Sequence, residues 1–116
     1  MLARFKAAAV HAAPVFLDSQ ATTEKAISIM REAARAGAEL IAFPETYIPA
    51  FPVWAALWPP IDNHDLFVRM AAQSVSADGP EVARLCAEAR ALASPSRSAS
   101  ASARPSASGG CGIRTC

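Results

Sequence analysis

The run Leu40-Ile41-Ala42-Phe43-Pro44-Glu45-Thr46-Tyr47 constrains this chain most: four apolar residues, a proline, then a carboxylate. Proline has no N–H to give a ladder, so an apolar run closed by Pro44 reads as a buried parallel strand that ends there. Glu45 then follows the carboxyl end of the strand, which is where open α/β sheets place their ligands. With Phe43, Tyr47, Phe51 and Trp54 as apolar neighbours, Glu45 is a candidate general base. It fits a solvated loop carboxylate equally well, and this segment alone does not separate the two readings.

The flanking sequence supplies the scaffold. Residues 5–11 are apolar and precede Pro14. Thr22 or Thr23 is placed to cap a helix in which Ala26, Ile27, Ile29, Met30, Ala33 and Ala34 recur at helical spacing. Gly37 offers the positive φ that ends it. Residues 39–43 form the second strand, so 5–43 make one βαβ unit with parallel pairing. Asp62 or Asn63 can cap a helix over about 64–74, and Pro80 opens another with Val82, Leu85, Cys86 and Ala89 on one face. Between Thr46 and Asp62, four prolines accompany Tyr47, Phe51, Trp54 and Trp58 in a long loop without pattern. Loops of that length in compact domains are usually functional.

Composition excludes several classes. At 116 residues the chain holds one domain at most. Its net charge of +1 gives no general case for nucleic-acid binding. No stretch approaches the ~18 apolar residues of a membrane span. The alanine-rich run after Lys6 is short and is followed by Asp18 and Glu24, which does not fit a secretory signal. Three cysteines, an odd number without regular spacing, fit a reducing compartment and hence a cytoplasmic location. His11, His64, Asp62, Asp65 and Cys86 show no zinc-site spacing.

Residues 5–18, the helical stretch after them, Phe43-Pro44-Glu45-Thr46-Tyr47-Ile48-Pro49-Ala50-Phe51-Pro52 and Asp78-Gly79-Pro80-Glu81-Val82 follow one another in an order that resembles the start of a nitrilase, in the carbon–nitrogen hydrolase superfamily. The resemblance covers residues 1–92, with Phe43–Pro52 its most specific part; His11 stands where Gln is more usual. It implies an α/β fold, the N-terminal portion of a four-layer α-β-β-α sandwich, here incomplete. It also implies hydrolysis of a small-molecule nitrile to a carboxylic acid and ammonia without cofactor or metal, by homo-oligomers. Glu45 matches the family's general base, and Tyr47, Phe51, Trp54 and Trp58 fall in the region that lines the family's substrate pocket. Ordinary packing of these aromatics onto the core fits each of them as well.

The family mechanism needs a lysine and a nucleophilic cysteine beside the glutamate. Lys6 lies in the first strand and Lys25 on the first helix, and neither follows a third strand as the family lysine does. Cys86 reads as a buried structural thiol. The chain as given therefore reads as inactive by ancestry-linked loss. An amidase or cyanide-hydrating relative is a rival reading. A noncatalytic α/β fragment that binds a partner, such as a full-length nitrilase subunit, is another.

Composition changes abruptly after Leu92. Residues 93–116 are Ser, Ala, Arg, Gly and Pro with one branched aliphatic residue, Ile113, three arginines and no acid. Such a segment cannot bury a core and reads as disordered. Read one base out of frame, residues 94–104 permit an apolar strand and polar turn. Gly110–Cys116 then permits Leu-Trp-Asn-Thr-Asn-Leu, which resembles the segment after the third nitrilase strand. Residues 93–116 are thus expected to be a frameshift product appended to a family domain over 1–92.

Overall fold

The computed structural model describes residues 3–93. The chain runs through β1 (Ala7–Ala9), α1 (Ser19–Arg35), β2 (Leu40–Ala42), α2 (Trp54–Leu57), a 3₁₀ turn (Pro60–Asn63), α3 (His64–Ala72) and α4 (Pro80–Ala93). β1 and β2 pair in parallel, Ala7 with Leu40, Ala8 with Ile41 and Ala9 with Ala42, so the βαβ unit expected over 5–43 is present. The arrangement is mixed α/β. The Ser/Ala/Arg-rich tail lies, apart from Ala93 at the end of α4, outside the described residues. Among the described residues no helix is long and apolar enough to cross a membrane.

Helix α1 is bounded by local chemistry at both ends. Its N-cap is Asp18, whose extended backbone lets Oδ1 accept from Ala21 N at 2.8 Å. The threonines expected to cap it serve elsewhere. Thr22 Oγ1 accepts from Val15 N at 3.1 Å and donates to Val15 O at 2.9 Å, pinning the β1–α1 loop. Thr23 Oγ1 donates back to Ser19 O. At the other end Gly37 adopts φ +85°. Its N–H reaches Ala34 O and that of Ala38 reaches Ala33 O, the paired bonds of a Schellman motif. Lys6 Nζ adds a 2.6 Å bond to Ala36 O, where a cation complements the helix dipole.

The buried set is Leu17, Ala26, Ile27, Met30, Tyr47, Ala50 and Trp54, with Thr22, Thr23 and Asn63 as polar members. α4 packs along α1, half-burying Val82, Leu85, Cys86 and Ala89 as their spacing predicts. Arg31 grips Glu88 with two bonds of 2.7 and 3.0 Å, and Arg84 meets Glu24 at 2.5 Å. Arg31 and both members of the Arg84–Glu24 pair are solvent-exposed, so neither bridge is a large source of stability. Ser19 N and Oγ both donate to Gln73 Oε1, tying the start of α1 to the end of α3.

Two expectations are corrected. The strand read as buried is open on one face: Leu40 is 53 % exposed, because no described residue covers that side. The loop after Thr46 is not without structure, since α2 and the 3₁₀ turn form inside it. Asn63 does occupy the N-cap position of α3, but its side chain makes no cap bond. Its Nδ2 instead donates to Trp54 O at 3.2 Å and Trp58 O at 2.8 Å, closing α2.

Candidate functional site at the exit of β2

β2 ends at Ala42, and Glu45 opens a turn over residues 45–49 two residues beyond Phe43. In a parallel pair both strands deliver their carboxyl ends to the same edge, so Glu45 shares that edge with the β1–α1 loop. Tyr47 joins the two. Its buried ring lies 5.2 Å from that of Phe43, tilted 44°, and its hydroxyl donates to Ala13 O over a long 3.4 Å. Burial pushes the Tyr47 phenol above its ordinary value of 10.0. The same Ala13 carbonyl accepts Lys25 Nζ from α1 at 2.6 Å. Glu45 is thus carried on a turn held from both sides while its own side chain faces solvent.

The backbone of this turn is unusual where it matters. Thr46, immediately after the carboxylate, has φ +47°, a region β-branched residues rarely enter. Residues held this way cost on the order of 1–3 kcal/mol and persist only where their surroundings over-determine them.

The four loop aromatics divide by exposure. Tyr47 and Trp54 are buried, Trp54 to 2 % exposure, its ring 5.5 Å from Phe16 and 6.1 Å from Phe67 in edge-on contacts. Phe51 and Trp58 are 54 % and 56 % exposed, with faces free to meet another molecule. Sequence spacing could not separate the pairs, because all four sit in proline-broken loop. Asn63 and Ala13 were missed as positioning residues, and neither carries a local signal: one acts through carbonyls five and nine residues away, the other through its backbone alone.

No nucleophile stands beside Glu45 among the described residues. Lys6 and Lys25 are spent on backbone carbonyls. Cys86, half-buried on α4, is disulfide-bonded, which corrects its reading as a reduced structural thiol. No three His, Cys, Asp or Glu residues converge as a metal site would require, again among the described residues. A groove of about 630 Å³, lined by Asp18, Ser19, Gln73, Glu81 and Arg84, lies between the starts of α1 and α4 and does not include Glu45. What the exit of β2 offers chemically is a proton acceptor on a constrained turn.

Comparison with known proteins places this arrangement. The chain is 48 % identical over 87 residues to a nitrilase of Pseudomonas syringae pv. syringae (strain B728a), covering 75 % of this chain and 26 % of that protein. It is 45 % identical over 87 residues to an aliphatic nitrilase of Rhodococcus rhodochrous, covering 74 % and 24 %. It is 40 % identical over 81 residues to a bromoxynil-specific nitrilase of Klebsiella pneumoniae subsp. ozaenae, covering 70 % and 23 %. The chain therefore spans about a quarter of the length of these relatives. The carbon-nitrogen hydrolase family model matches residues 6–94, well over half of the 116, from the start of β1 past the end of α4. With the carboxylate at the strand exit, the parallel βαβ unit and that match, the chain belongs to the carbon–nitrogen hydrolase family.

Proposed function

We propose that this chain carries the general-base portion of a nitrilase, an enzyme that converts a nitrile to a carboxylic acid and ammonia. The observation that supports this most is the position of Glu45, on a turn braced by Phe43 and Tyr47 at the carboxyl edge of a parallel pair. A carboxylate there can take the proton of an attacking thiol, which leaves the thiolate free to add to the nitrile carbon. Phe51 and Trp58, open to solvent, are the faces that would meet the substrate. Tyr47 and Trp54 hold the loop that presents them.

A polypeptide of these 116 residues alone does not hydrolyse nitriles in this reading. Lys6 and Lys25 are bound to carbonyls, and among the described residues no free thiol stands beside Glu45. Residues 93–116 are in this reading the product of a lost base, and restoring the frame would supply the strand that follows α4. The test compares ammonia release from a nitrile by the 116-residue chain and by the frame-restored form. Activity confined to the restored form, and abolished there by Glu45→Gln, is the expected result. Ammonia release by the 116-residue chain itself refutes the reading.

A further inference from the structure

We propose that Lys25 is a positioning residue for the turn that presents Glu45, acting through the carbonyl of Ala13 and the hydroxyl of Tyr47. The proposal rests on the reading of Glu45 as a general base. Lys25 lies on the exposed side of α1, where a lysine ordinarily leaves its ammonium in water. Its Nζ instead donates to Ala13 O at 2.6 Å, a short charge-assisted bond that reaches back to the β1–α1 loop. Thr22, three residues earlier and so adjacent on the helix surface, holds the same loop at Val15 through both the N–H and the carbonyl. Two neighbouring side chains of α1 thus fasten two loop carbonyls, Val15 O and Ala13 O, and α1 sets where that loop lies.

Ala13 O passes that placement on, because it also accepts the hydroxyl of Tyr47, two residues beyond Glu45. Tyr47 is 7 % exposed, and Ala13 O is the acceptor its phenol meets among the described residues. The bond is 3.4 Å long, against about 2.7–2.8 Å for an ordinary O–H···O bond. It therefore has no slack, and a retreat of Ala13 O by a few tenths of an ångström breaks it. A buried phenol that loses its acceptor carries the full cost of its desolvation. The ring then moves to find another partner, and the chain at Glu45, one residue removed, moves with it. A general base works only within hydrogen-bond reach of the proton it takes, and a misplacement of about 1 Å can cost on the order of 100-fold in rate. Lys25 contributes by fixing where the carbonyl sits, not by polarising it, since two donors on one oxygen compete for it. Any long cationic donor at position 25 should serve.

The experiment has two arms. In the 116-residue chain, fluorotyrosine reports the Tyr47 ring alone by fluorine NMR, because the sequence holds one tyrosine. Near neutral pH, Lys25→Met is expected to shift or broaden that signal with helical circular dichroism unchanged, and Lys25→Arg to return it to the parent position. Lys25→Gln is the second truncation should the methionine variant fail to fold. In the frame-restored form, Lys25→Met should lower kcat for ammonia release at least tenfold with KM within twofold of the parent, and Lys25→Arg should recover kcat to within threefold. Tyr47→Phe keeps the ring against Phe43 and deletes the same link. The double variant Lys25→Met/Tyr47→Phe should therefore lose no more than the larger single loss. A fluorine signal indifferent to Lys25→Met and Lys25→Gln, a loss confined to KM, or losses that multiply in the double variant each overturns the proposal. If the frame-restored parent releases no ammonia, the general-base reading falls, and the fluorine signal still decides whether Lys25 places Tyr47.

Discussion

Trp54→Ala against Trp58→Ala tests the division of the loop aromatics most directly. Trp54 is 2 % exposed and wedges between Phe16 and Phe67, whereas Trp58 is 56 % exposed. Truncating a buried tryptophan removes its transfer free energy and leaves a cavity, together roughly 3–5 kcal/mol. One term opposes this. The indole Nε1 of Trp54 is buried without a partner, so removing it recovers about 1 kcal/mol or more of desolvation penalty. The net cost expected is about 2–4 kcal/mol, a large share of the ~5–10 kcal/mol available to a domain of this size. Trp58 contributes its carbonyl to Asn63, which alanine retains. Trp58→Ala should therefore cost under about 1 kcal/mol. Trp54→Phe supplies the internal control: it keeps edge-on ring contacts and deletes the orphaned N–H, so it should cost well under half of Trp54→Ala. Urea unfolding followed by far-ultraviolet circular dichroism reads all three without depending on indole fluorescence. Equal midpoints for Trp54→Ala and Trp58→Ala would refute the assignment of Trp54 as the anchor of the loop.

Tyr47 is the chain's single tyrosine, so absorbance near 295 nm titrates it alone. Burial raises its pKa above 10.0, so the folded state holds its proton after the unfolded state has released it. Its contribution to stability is complete below pH 10 and is lost as pH climbs through the folded value; the titration midpoint should fall towards 10 in urea, and an unchanged midpoint counts against burial. Gly37→Ala should destabilise by about 1–2 kcal/mol, because φ is +85° while the added Cβ meets nothing closer than Lys6 Cδ at 3.9 Å. Gly37→Asn should be milder, and a neutral Gly37→Ala would show that the helix end relaxes. Asp18→Ala should cost about 0.5–2 kcal/mol as a lost N-cap, measured by the same urea series; a null effect would return the cap to Thr22 or Thr23.

The local grammar of the chain was open to reading from residues alone. The apolar runs at 5–11 and 39–43, the helical spacing between them and Gly37 specified a parallel βαβ unit, because period and cap chemistry act within a few residues of themselves. Pro44 marked where the second strand stops, and that placed Glu45 at its exit. What spacing could not supply were interactions between residues distant in sequence. The capping role went to Asp18 because Thr22 was claimed by Val15 across the β1–α1 loop, a competition settled only when the loop closes. Trp54 became core and Trp58 surface because Phe16 and Phe67 arrive from other elements to enclose one ring and leave the other open. The bare side of the sheet has the same origin: alternation assigns Leu40 and Ala9 to one face, but whether a face is covered depends on what the rest of the fold brings against it.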